Sequence, residues 1–123
     1  MQRPIVVIAN SDPAQSALLA KGLRDHARSI MIAKNCDELQ NTVLKHRAEV
    51  VIADLETVEL ERLSEFHDRF ANVNLVCTHR VPDERMWAAS LGAGATDCCS
   101  SSDVDDVLRA ALLLPYRVKG QAA

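Results

Sequence analysis

Glu49-Val50-Val51-Ile52-Ala53-Asp54 is the stretch that decides how this chain folds. Four consecutive apolar residues, three of them β-branched, read as a strand covered on both faces, as strands of parallel sheets are. The run ends in a carboxylate. Open α/β sheets place their chemistry beyond the C-terminal ends of their strands, so Asp54 is the first candidate functional residue.

The same alternation recurs on either side. Ile5-Val6-Val7-Ile8 is a second buried run. Asn10-Ser11-Asp12-Pro13 follows it with cap residues and a proline suited to a first helical position. Ala14, Ala17, Leu18 and Leu23 predict the inward stripe of that helix. Ser29 to Ala33 predicts a strand, and Asn35 a cap for a helix bearing Leu39, Val43 and Leu44. Beyond Asp54, a third helix carries Leu60, Leu63, Phe66 and Phe70, and Val73 to Cys77 is a fourth strand. Pro82-Asp83-Glu84 opens a helix with Met86, Trp87 and Leu91, closed by Gly92 and Gly94. Thr96 to Cys99 is a short fifth strand. Ser102 with Asp105 forms a capping box for a helix bearing Val104, Val107, Leu108, Ala111 and Leu112, which Pro115 stops. Leu112-Leu113-Leu114 points in three directions, so not all three can face the core. Trp87 reads either as an interface anchor or as a core residue beside Leu91.

Strands joined by crossover helices lie parallel. Five βα units in 123 residues therefore predict an α/β domain, a single doubly wound five-stranded parallel sheet with helices on both faces. It occupies residues 1–115, with 116–123 a polar tail or the start of a linker. A net charge of -3 is too small to mark a nucleic-acid or membrane surface. No apolar run approaches the length of a membrane span. The first residues do not read as a signal peptide, and the four cysteines (Cys36, Cys77, Cys98, Cys99) lack disulfide-framework or zinc-finger spacing. A cytoplasmic setting is the expectation. With no Gly-rich phosphate loop, nucleophile elbow or triad, an enzyme is not expected.

The order of elements, with the stretches Ile5 to Pro13, Val50 to Leu55, Cys77-Thr78 and Ser90 to Asp97, resembles the receiver domain of bacterial two-component response regulators, a flavodoxin-like fold. The resemblance implies that Asp54 accepts a phosphoryl group from a sensor histidine kinase and that Thr78 bonds the phosphoryl oxygens. It also implies a metal set of Asp12, Asp54 and Glu56 for Mg²⁺, the last through a backbone carbonyl that makes no demand on residue type. The sequence departs from the family at the other positions. Asn10 and Ser11 stand where the acidic pair is expected, Ser101 where a Lys is expected, and Cys98 where an aromatic is common. Mg²⁺ is held mainly by hard carboxylate oxygens, and phosphoryl transfer depends on a cation to neutralise the transferring oxygens. Mg²⁺ binding is therefore expected to be weak or absent, and either Asp12-bound Mg²⁺ or Arg80 would have to supply the charge.

Three functions follow from this reading. The first is a phosphorylated receiver, with a possible homodimer through the fourth-helix and fifth-helix face. The second is a pseudo-receiver, a phosphorylation-independent interaction module in which Asp54 and Asp12 are capping acids and Thr78 a strand-end hydroxyl. The third is a thiol or metal sensor built on Cys77, His79, Cys98 and Cys99, against which stands the habit of strand cysteines to behave as small buried hydrophobes.

Overall fold

The computed structural model describes residues 3–113. Five strands alternate with five helices: β1 (Ile5–Ala9), α1 (Pro13–Leu23), β2 (Ser29–Ala33), α2 (Cys36–His46), β3 (Val50–Asp54), α3 (Leu60–Arg69), β4 (Asn74–His79), α4 (Glu84–Gly92), β5 (Asp97–Ser100) and α5 (Val104–Ala111). The sheet has the order β2-β1-β3-β4-β5, and every pairing is parallel. This is the doubly wound topology expected from the sequence. The expected tail at 116–123, the stop at Pro115 and the orientation of Leu114 lie outside the described residues.

Side chains alternate across the sheet and build a core on each face. On one face Val7, Val51, Leu75 and Cys77 meet Leu39 and Val43 of α2 and Leu63 and Phe66 of α3. On the other, Val6, Ile8, Ile52 and Val76 meet Leu19 and Leu23 of α1 and Val107 and Ala111 of α5. β3 is buried along its whole length, which is why its sequence is apolar without alternation.

Local chemistry sets the helix starts. Asp12 caps α1 by accepting from the Ala14 amide at 3.0 Å, with Pro13 next. Asn35 caps α2 through Glu38 N–H at 2.9 Å, and Glu38 Oε1 accepts from Lys34 N–H in return. Asp83 caps α4 through Met86 N–H at 2.8 Å. The cap of α5 is Asp103, not Ser102: its carboxylate accepts from the Asp106 amide at 3.1 Å, while Ser102 Oγ is engaged with Ser100 Oγ at 3.0 Å.

The α1 stripe is also rotated from the expected one. Ser16, Leu19 and Leu23 are buried, whereas Ala14 and Ala17 are exposed and Leu18 is 55% exposed. Ser16 tolerates burial because its hydroxyl donates to the Asn10 carbonyl at 3.4 Å. β4 runs two residues beyond the expected Cys77, through Thr78 and His79. That extension matters for the site, because it brings Thr78 into the ladder.

Candidate functional site

Asp54 is the last residue of β3, and its ladder partner in β4 is Thr78. Residues directly opposite in a sheet project to the same side, and here the Thr78 hydroxyl donates to Asp54 Oδ1 at 3.2 Å. The turn after β3 folds back under the same carboxylate. Thr57 and Val58 amides donate to the Asp54 carbonyl at 3.0 and 2.9 Å, and the Glu56 amide donates to Asp54 Oδ2 at 3.2 Å. Each carboxylate oxygen thus has one donor. Asp54 is only 8% exposed. Burial pushes its carboxyl above the ordinary value, and the Thr78 and Glu56 hydrogen bonds oppose that rise without cancelling it.

A cavity of about 170 Å³ opens over Asp54, room enough for a small oxyanion, and Asp12, Glu56 and Arg80 are the other charged residues lining it. Asn10, Ser11 and Ser101 line it too, so three of the four departures from the receiver pattern fall here, and the fourth, Cys98, is buried in the core on the α2 and α3 face. The neutral residues serve the loops. Asn10 Oδ1 accepts from the Asp12 amide at 2.9 Å. The Ser11 amide donates to Thr57 Oγ1 at 2.9 Å and ties the loop after β1 to the turn after β3. Ser101, just past β5, donates its amide to the His79 carbonyl at 2.9 Å, and its own carbonyl accepts from the Gln15 side chain.

Arg80 follows His79 at the end of β4 and grips Glu56 with two bonds, Nε to Oε1 at 2.7 Å and a terminal nitrogen to Oε2 at 3.3 Å. His79 Nε2 lies 4.0 Å from the same Oε1. The guanidinium is pushed further up by the Glu56 hydrogen bond and charge, and to a lesser extent by Asp54. Sequence reading alone did not find the Glu56 to Arg80 pair, since nothing in the spacing of two loop residues 24 apart announces it.

The residues present do not make a good Mg²⁺ cradle. Mg²⁺ asks for hard oxygens at near-octahedral positions. Here the acidic pair is replaced by an amide and a hydroxyl, and an Asp12 oxygen is occupied by the start of α1. The ligand expected from Glu56 is its backbone carbonyl, and its carboxylate, paired with Arg80, adds no free anionic oxygen to make up for the missing acids. Asp54 is left as the one carboxylate in the cavity not committed to a cap or an ion pair.

The sulfur candidates do not form one centre. Cys77 and Cys98 are ladder partners on the face packed by α2 and α3. Cys99 is on the opposite face, packed by α1 and α5. Burial raises the Cys77 thiol to about 12 and also raises Cys98 and Cys99, with Asp97 adding to both. Such thiols are protonated and poorly reactive at neutral pH. Trp87 is 48% exposed and donates its indole N–H to Asp97 Oδ1 at 3.1 Å, linking α4 to β5; it does not enter the core.

No family model matches the sequence, and no curated protein is similar to it. Solved structures are. The receiver domain of Francisella response regulator 1452 superposes with a TM-score of 0.80 over 91% of this chain and 96% of that one, at 13% identity. The Salmonella typhimurium RcsB response regulator gives 0.83 over 97% of this chain and 65% of that one, at 16% identity. The BeF3-activated N-terminal receiver domain of Klebsiella pneumoniae RstA gives 0.75 over 88% and 97%, at 16% identity. At these identities the likeness carries the fold. The chain has the receiver fold of response regulators, in a strongly divergent sequence. No helix among the described residues is long and apolar enough to cross a membrane.

Proposed function

We propose that this chain is a receiver-type signalling domain of a two-component phosphorelay, with Asp54 as its phosphoacceptor. The observation that carries this reading is the placement of Asp54: a buried carboxylate at the C-terminal end of the central strand, with one donor on each oxygen and an open cavity above it. An Asp54 oxygen attacks the phosphorus of a phosphohistidine or small phosphodonor in line with the leaving nitrogen or oxygen. The Thr78 hydroxyl and the Glu56 amide then bond the transferred oxygens. Losing preorganised electrostatic partners at such a site removes on the order of 3–4 kcal/mol of transition-state stabilisation each. Transfer is therefore slow and gains little from Mg²⁺. The chain is a signalling module, not an enzyme acting on a separate substrate. Its partners are a sensor histidine kinase and whatever docks on the α4, β5 and α5 face, a second copy included, with no direct contact to nucleic acid or membrane. A cytoplasmic location fits that role.

The neutral Asn10, Ser11 and Ser101 favour a second reading, a pseudo-receiver that uses the same face without switching. Incubation with a small phosphodonor and Mg²⁺, read by intact mass, separates the two. A receiver gains one phosphoryl group that Asp54→Asn abolishes. No adduct under forcing conditions leaves the interaction module.

A further inference from the structure

Resting on the receiver reading, we propose that Arg80 is the cation of the Asp54 pocket in place of both the metal and the missing Lys, and that Glu56 gates it by occupying the guanidinium until a phosphoryl group arrives. Of the four charged residues lining the cavity among the described residues, Asp12, Asp54 and Glu56 are anionic and Arg80 alone is cationic. A dianionic phosphoryl group entering there finds no other positive side chain. Guanidinium is suited to it, since its planar fork bonds two oxygens of a phosphate as it bonds two of a carboxylate.

Glu56 holds that fork now, at 2.7 and 3.3 Å. The pair is loosely kept, because the Arg80 side chain is 77% exposed and that of Glu56 43%, and exposed ion pairs are weak. A phosphoryl group on Asp54 offers Arg80 more charge than one carboxylate does. It also appears beside Glu56 itself, whose amide is already bonded to Asp54 Oδ2 at 3.2 Å. Phosphorylation therefore moves Arg80 from Glu56 onto the phosphoryl oxygens. Glu56 retains a neighbour in His79. His79 Nδ1 accepts from the Val81 amide at 3.1 Å, which leaves the ring proton on Nε2, facing Glu56 Oε1. The exchange is a switch confined to the loops after β3 and β4, and it needs no metal.

Phosphoramidate tests it. An Asp54 oxygen bonds to phosphorus as the P–N bond breaks, and the nitrogen, already carrying its three protons, leaves as ammonia. The expected result is that the wild-type chain gains one phosphoryl mass in EDTA at a rate within about threefold of that in Mg²⁺, since no step is routed through the metal. Arg80→Gln slows labelling at least about tenfold, with the roughly 10²–10³-fold of a buried donor as the ceiling because the Arg80 side chain is exposed, and Arg80→Lys falls between. Glu56→Gln speeds it, because the guanidinium is released. Both side chains are exposed, and matching melting curves confirm that the variants fold. Labelling that requires Mg²⁺, or that is unchanged in Arg80→Gln while Asp54→Asn stays blank, overturns the Arg80 proposal and leaves the receiver reading standing. No label on the wild-type chain with or without metal overturns the receiver reading itself and the proposal with it.

Discussion

Asp54 and Thr78 stand opposite each other in the β3–β4 ladder, and the Thr78 hydroxyl donates to Asp54 Oδ1 at 3.2 Å in a buried setting. The bond exists because β4 continues past Cys77. That hydroxyl and the Glu56 amide on Oδ2 are what an otherwise desolvated carboxylate has to lean on.

Thr78→Val keeps the shape of the side chain and removes the donor. A buried acceptor left without its partner costs about 1–3 kcal/mol. Urea unfolding of the variant at neutral pH is expected to show a loss in that range. Replacement by Ser, which keeps the hydroxyl, should recover most of it.

Asp54→Asn is expected to stabilise the domain at neutral pH, by about 1 kcal/mol as a typical single-substitution effect or roughly 4 °C for a domain of this size. Burial raises the native carboxyl above the ordinary aspartate value, so between the unfolded and native values the native state holds more protons than the unfolded chain. Stability then falls as pH rises through that window. The full penalty is present above the native value and absent below the unfolded one. Melting curves of the two proteins should accordingly converge as pH is lowered through the carboxylate range. A gap that widened on acidification would contradict the assignment.

Restoring the receiver pattern should restore the metal. Asn10→Asp, Ser11→Asp and Ser101→Lys together place two carboxylates and an ammonium around the cavity, and Asp at position 10 can still accept from the Asp12 amide. Mg²⁺ at ten times its dissociation constant would raise the stability of that variant by about 1.4 kcal/mol, and its labelling at Asp54 should become Mg²⁺-dependent. The wild-type melting point should not move at the same Mg²⁺ concentration.

Gly94 sits at φ +107, where a Cβ would fall inside the His67 imidazole. Gly94→Ala is expected to be among the most damaging surface-loop substitutions, at about 3 kcal/mol or more, because strain and clash add. Adding His67→Ala removes the clash and leaves the backbone term, about 1–2 kcal/mol. Chemical denaturation of the single and double variants checks the partial rescue.

Most of the architecture is readable from apolar runs and caps. β3 announces itself because it is buried on both faces, and Asp12 and Asn35 are caps whose chemistry is local; Asp83, read from the sequence as part of a first helical turn, is instead the cap of α4. The errors have local causes as well. Ser16 is buried in place of its apolar neighbours Ala14 and Ala17, because the Asn10 carbonyl in the loop before α1 accepts its hydroxyl proton. Asp103 displaces Ser102 as a cap because two serine hydroxyls bond each other instead. At the site, Asp54 is legible as an acid ending a buried strand, and Thr78 from its likeness to the receiver pattern. The Arg80 to Glu56 pair and the Ser11 to Thr57 tie are not legible, since they join loops whose approach only the folded sheet defines.

Glu56 contributes to the pocket in two separable ways, through its amide to Asp54 and through its carboxylate to Arg80. An amide is offered by any residue but proline, so substitutions at position 56 can retune the guanidinium without disturbing how the acid is held. That independence makes position 56 an adjustable dial: its side chain can change in charge and length while the amide that holds the acid, and the framework beneath it, stay fixed.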